Sequence, residues 1–152
     1  MSYGRTQPSA GPVEGAIHGA VVYLGLSLGL FLTTTLSLVL GEDSLAVSGS
    51  NDKLFFAAQF GFEQLLVLAP LLAVGLAVYY VASDRGEPAF VTTAVAGAVG
   101  TLLAGLVMLI LMIALAPDLV DVSLGDELPV LLAYVLGSAI AGGVSAIGLD
   151  IV

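Results

Sequence analysis

From Ala89 to Leu115 the chain reads AFVTTAVAGAVGTLLAGLVMLILMIAL, without one Asp, Glu, Lys or Arg. About 20 apolar residues, rising 1.5 Å each, cross the ~30 Å hydrocarbon layer of a bilayer as a helix. Three runs of the same kind flank this one: Ala16 to Leu40, Leu54 to Ala82 and Pro129 to Leu149. Pro88 and Pro129 sit where the first turn of a helix tolerates proline, and Pro117 follows the third run, where it stops propagation. The connections, Gly41 to Lys53, Ser83 to Glu87 and Ala116 to Leu128, are polar and too short to hold a folded soluble domain. Short links make successive helices neighbours. The expected fold is therefore all-α: one membrane domain over residues 1–152, with four transmembrane helices arranged as two antiparallel hairpins in a compact bundle. Residues 1–14 are read as a flexible tail.

Composition agrees. Hydrophobic residues make up 59% of the chain and charged residues 10%, with a mean hydropathy of +1.10. An ordinary soluble domain is about half apolar and a quarter charged, so here lipid must cover what polar side chains cannot. There is no cysteine, which removes disulfides, thiol nucleophiles and cysteine-held metals. Twelve Asp and Glu against three Lys and Arg give a net charge of −9. That excludes a basic groove for nucleic acid and a polybasic patch for anionic lipid.

Orientation rests on three charges. An even number of spans puts both termini and the middle loop on one side, with Arg5 and Arg85, and leaves Lys53 on the other. The positive-inside rule then places both termini in the cytoplasm of a multi-pass cell-membrane protein. The acidic stretches, with Glu42, Asp43, Asp52, Asp118, Asp121, Asp126 and Glu127, face outside. The opposite orientation stays open, because two charges stand against one. Tyr79, Tyr80 and Phe90 flank the Arg85 loop as an interfacial belt would. Ala46-Val47-Ser48 resembles a signal cleavage site, but the first apolar run is far longer than a signal core of ~7–15 residues.

Small residues four apart mark helix-packing faces in lipid, where backbones must approach closely. The first span offers Gly15 and Gly19, then Gly25, Gly29 and Thr33. The third offers Ala96, Gly100 and Ala104, beside Gly97, Thr101 and Gly105. The fourth offers Ala133, Gly137, Ala141 and Ser145. Gly25, Gly29, Gly100, Ala104 and Gly137 are expected at helix–helix contacts. Shifting the chain by half its length lays Leu40, Asp43, Val47 and Ser48 on Leu115, Asp118, Val122 and Ser123, and Gly25 and Gly29 on Gly100 and Ala104. That match fits either a duplicated hairpin or shared composition.

One residue inside the spans carries charge. Glu63 lies about nine residues into the second run, and a carboxylate in hydrocarbon costs a few kcal/mol unless it faces protein or water. Counting inward from the same side, Thr33, Thr34 and Thr35 on the first span and Tyr134 and Ser138 on the fourth reach matching depth. Gln59 lies one turn away on Glu63's own face. Glu63, Gln59, Thr33, Thr34 and Ser138 thus form a candidate proton or cation site, with Pro70 able to kink the helix below it. Alternatively, the hydrocarbon begins near Phe60, and Glu63 is wet beside Phe55, Phe56, Phe60 and Phe62.

His18, the one histidine, has Glu14 a turn away and no further ligand partners, so no metal site and no cofactor are expected. HExxH and phosphate-loop motifs are absent, and the loop carboxylates lack basic or histidine partners, so no enzyme is expected.

Size, four spans and a single Glu within them resemble the small multidrug exporters. The chain departs from them: their glutamate stands in the first span, where this chain has only Glu14 ahead of the apolar run, and their tryptophan is missing. Over its whole length the chain more closely resembles the small four-span membrane proteins of unknown function common in halophilic archaea, without a diagnostic motif. That resemblance implies acidic surfaces kept hydrated in high salt, and no activity. The expected function is a non-enzymatic scaffold or accessory subunit whose partners are the lipid bilayer and itself or another membrane protein. The alternative is a small proton- or cation-coupled transporter or channel using Glu63.

Overall fold

The structure is a computed structural model that describes residues 11–41, 50–83, 89–116 and 122–151. Arg5, Pro88, Pro117, Arg85 and Ala46-Val47-Ser48 lie outside these residues. The described chain forms four helices, α1 (Pro12–Leu40), α2 (Ser50–Ala82), α3 (Ala89–Leu115) and α4 (Leu124–Asp150), with no strand among the described residues. Each is long and apolar enough to span a membrane. The all-helical, four-span fold read from the sequence is what the structure contains.

The ends differ from the hydropathy reading where polar chemistry extends a helix. α4 starts at Leu124 rather than Pro129, because the Ser123 hydroxyl accepts from the Asp126 N–H at 3.3 Å and donates to the Asp126 carboxylate at 2.7 Å. Asp126 and Glu127 thereby enter the first turn, where the helix dipole favours negative charge. Pro129 lies inside the helix, not at its start. It forfeits only the bond to the Gly125 carbonyl, near an exposed end. At the end of α1, the Gly41 N–H bonds to the Ser37 carbonyl at 2.9 Å, and Lys53 reaches across from α2 to donate to the Leu38 carbonyl at 3.1 Å. Both satisfy last-turn carbonyls that have no partner within the helix.

The four helices pack as a flattened rhombus. α2 and α3 touch each other and both outer helices, whereas α1 and α4 do not meet. Of the residues in an 18-residue apolar stretch, 39% are buried in α3 and 11% in α1, so α3 is the hub. Its two adjacent small-residue faces serve different neighbours. A Cβ on Gly19 would collide with the Ala96 carbonyl, and one on Gly100 would stand 2.7 Å from the Gly19 carbonyl and 2.5 Å from the Tyr23 ring. On the other face, a Cβ on Gly97 would lie 2.7 Å from the Ser138 carbonyl, and one on Gly142 2.9 Å from the Thr93 carbonyl. The Thr93 hydroxyl donates to the Gly142 carbonyl at 3.1 Å across that contact. Larger side chains fill the remainder, with Phe62, Leu66, Met108, Leu109, Met112 and Leu131 joining α2, α3 and α4. Tyr23, Leu65, Ala69 and Ala104 join α1, α2 and α3.

Candidate functional site

Glu63 is exposed on the outer surface of α2, and its carboxylate accepts a hydrogen bond from the Gln59 amide at 3.0 Å. Neighbour contacts set its depth. A Cβ on Gly61 would stand 2.5 Å from the Met108 side chain and 3.8 Å from both the Phe31 amide and the Ser27 carbonyl. Glu63 is therefore about nine residues, ~13 Å by helical rise, inside the end of α3.

The other expected members of the site stand elsewhere. Thr33 is exposed on α1 and Thr34 is half-buried, both beyond the Ser27–Phe31 segment that meets Gly61. Thr35 donates to the Phe31 carbonyl of its own helix at 2.8 Å. Ser138 is fully buried at the α3–α4 contact, and the Gly97 position that touches it also touches Ala73. Ala73 is about ten residues, ~15 Å, along α2 from Glu63. The expected pocket of Glu63, Thr33, Thr34 and Ser138 does not form among the described residues; only the Gln59–Glu63 contact does. Counting depth from helix ends misplaced Ser138 because α2 and α4 begin at different heights.

The expected packing residues also divide. Gly100 and Ala104 are buried against α1 and α2. A Cβ on Gly25, Gly29 or Gly137 would find no atom within 4 Å, so these three do not meet another helix of this chain. On α1 the packed stripe is Gly15, Gly19, Tyr23 and Ser27. On α4 it includes Ser138, Gly142 and Ala146, one residue out of phase with Ala133, Gly137, Ala141 and Ser145. Both helices carry two small-residue stripes, and the partner selects between them.

Two polar arrangements were not anticipated. The Tyr23 hydroxyl is buried and donates to the Ala69 carbonyl at 2.7 Å, at the peptide preceding Pro70. α2 runs unbroken through that proline. The carbonyl left without its helical donor by Pro70 is that of Leu66, so the Tyr23 bond to Ala69 is a separate tie that holds α1 to α2 beside the proline. The Thr101 hydroxyl lies close to the Tyr23 phenol without closing a hydrogen bond, and the buried Ser138 hydroxyl also has no partner among the described residues.

The second arrangement lies at the opposite end of the bundle from Lys53. His18 Nδ1 is 2.6 Å from the Tyr80 hydroxyl and 4.0 Å from the Glu14 carboxylate. The His18 and Tyr80 rings stack at 5.9 Å, and Tyr79 meets both edge-on. A shallow cleft of about 260 Å³, lined by His18, Val22, Leu76 and Tyr79, opens beside them. Tyr79 and Tyr80 read as an interfacial belt in the sequence, and His18 had Glu14 as its neighbour. Their union required α1 and α2 to be docked. The signal was the aromatic pair itself.

No family model, characterised protein or solved structure matches the chain.

Proposed function

We infer that this multi-pass membrane protein is a non-enzymatic scaffold or accessory subunit. The observation that carries this reading is the dispersal of its polar side chains. Glu63 faces outward with its hydrogen bond closed inside its own helix, while Ser138 is buried ~15 Å away along the bundle axis. A coupled transporter needs its ion-binding groups to converge on one cavity that both sides can reach. Here the interior is filled instead by close backbone contacts and by Leu, Met and Phe side chains. The chain resides in the cell membrane with both termini in the cytoplasm, and its acidic composition fits a salt-rich setting.

The transporter reading keeps one supporting observation, the unpartnered Thr101 and Ser138 hydroxyls in the core. Flux through reconstituted vesicles separates the two. With an imposed pH, sodium or potassium gradient, vesicles containing the chain should leak no faster than empty ones, and Glu63→Gln should change nothing. A gradient-driven flux that Glu63→Gln abolishes would replace the scaffold by a transporter.

A further inference from the structure

Phe56, Phe60, Val67 and Leu71 are exposed along the outer face of α2, and Glu63 stands among them. The apolar side chains need no cover in hydrocarbon, but the carboxylate does. Gln59 satisfies part of its hydrogen-bonding capacity and leaves its charge. Glu63 lies ~13 Å inside the end of α3, and a hydrocarbon layer of ~30 Å centred on that 27-residue helix of ~40 Å would enclose the carboxylate. Relief from the chain itself is absent among the described residues. Lys53, the one lysine or arginine described, is about ten residues nearer the end of α2 and is bonded to the Leu38 carbonyl. His18 lies at the other end, beside Tyr80. Arg5 and Arg85 lie outside the described residues.

A second copy does not supply the missing charge either. Aligned in the same direction, it would set Glu63 against Glu63. Inverted, it would present the apolar residues around Leu71, again without a base. Charge complementarity therefore selects a different molecule.

We propose that the Gln59–Glu63 face of α2 docks a transmembrane helix of another protein, one carrying a lysine or arginine at the depth of Glu63. This rests on the accessory-subunit reading and names the chemistry of its partner. Within hydrocarbon the pair is unscreened, so it fixes depth and register as well as adding affinity. Phe56, Phe60 and Val67 would flank the pair and exclude lipid headgroups from it.

The test uses the full chain, fluorescently labelled and reconstituted in lipid vesicles, with a synthetic leucine–alanine transmembrane peptide as the probe. One peptide carries a single lysine at the depth of Glu63; its control carries leucine there. Energy transfer should report association with the lysine peptide about tenfold stronger than with the control, and Glu63→Gln should remove that preference. Glu63→Lys should switch the preference to a peptide bearing glutamate. Glu63 touches Gln59 of its own helix, so these variants keep the fold, which unchanged circular dichroism and melting would verify. Equal association of the lysine and leucine peptides would overturn the proposal. So would energy transfer between two labelled copies that Glu63→Gln abolishes, which would assign the face to self-association. Failure of the peptide preference without ion flux rejects the docking face alone, whereas flux dependent on Glu63 rejects the accessory-subunit reading beneath it.

Discussion

A methyl group added to Gly19 would drive into the Ala96 carbonyl, while the same group added to Gly25, further along the same helix, would meet no neighbouring atom within 4 Å among the described residues. Gly19→Ala and Gly100→Ala should therefore lower the melting temperature in detergent, at a cost of ~1–3 kcal/mol set by backbone displacement. Gly25→Ala and Gly29→Ala should be neutral or raise it, by up to ~1 kcal/mol, because alanine loses less backbone entropy in a helix. Equal losses at all four positions would mean that Gly25 and Gly29 are covered by something outside the chain. Tyr23→Phe removes the donor to the Ala69 carbonyl and leaves no buried group stranded on its own side. Its expected cost is modest, ~0.6 kcal/mol, as for other hydrogen bonds between membrane helices. Glycine spacing in the sequence marked every possible contact face. It did not rank them, because a glycine facing lipid and a glycine facing a carbonyl have the same hydropathy.

At the scale of the element, hydropathy located each span and polar capping set its ends. Ser123→Ala should cost ~1 kcal/mol and unwind the first turn of α4, read as faster amide exchange at Asp126 and Glu127. Unchanged exchange there would mean that the turn is held by something other than the Ser123 hydroxyl. This cap also explains the missed start of α4. The Ser-x-x-Asp pattern at Ser123 is a helix-start signal in its own right, but Pro129 was the stronger apparent boundary. The cap does not account for Ser138, because α2 also starts early, at Ser50; Ser138 stands level with Ala73 rather than Glu63 because α4 is offset along the bundle axis from α2.

For the whole molecule, α3 is the hub because both of its small-residue faces are buried, Ala96-Gly100-Ala104 toward α1 and α2 and Gly97 and Gly105 toward α4. The half-chain match does not extend to packing, since Gly25 and Gly29 face outward while Gly100 and Ala104 are buried. Reporter fusions after Asp43, Gly86, Gly125 and Val152 should read outside, inside, outside, inside. A cytoplasmic signal at Asp43 would reverse the orientation, which depends on Arg5 and Arg85 against Lys53. With a net charge of −9, thermal stability in detergent should rise as potassium chloride is raised to molar concentrations, since salt screens repulsion among the carboxylates. Stability independent of salt would remove the halophile reading.

Composition and run length alone determined that the chain spans the membrane four times as helices, because burying an unpaired backbone in lipid leaves a helix as the economical solution for each apolar run. They also singled out Glu63 as the one charge within a span and paired it with Gln59, since that contact is local to a helical turn. Which stripe packs, that Glu63 points outward, that His18 meets Tyr80 and that Tyr23 serves Ala69 were decided by tertiary structure. Each depends on the rotation and axial height of one helix against another. Spans that are apolar on every side carry no hydrophobic stripe to set that rotation, so it follows from the fit between small residues and backbone, a property of pairs of helices rather than of any one segment.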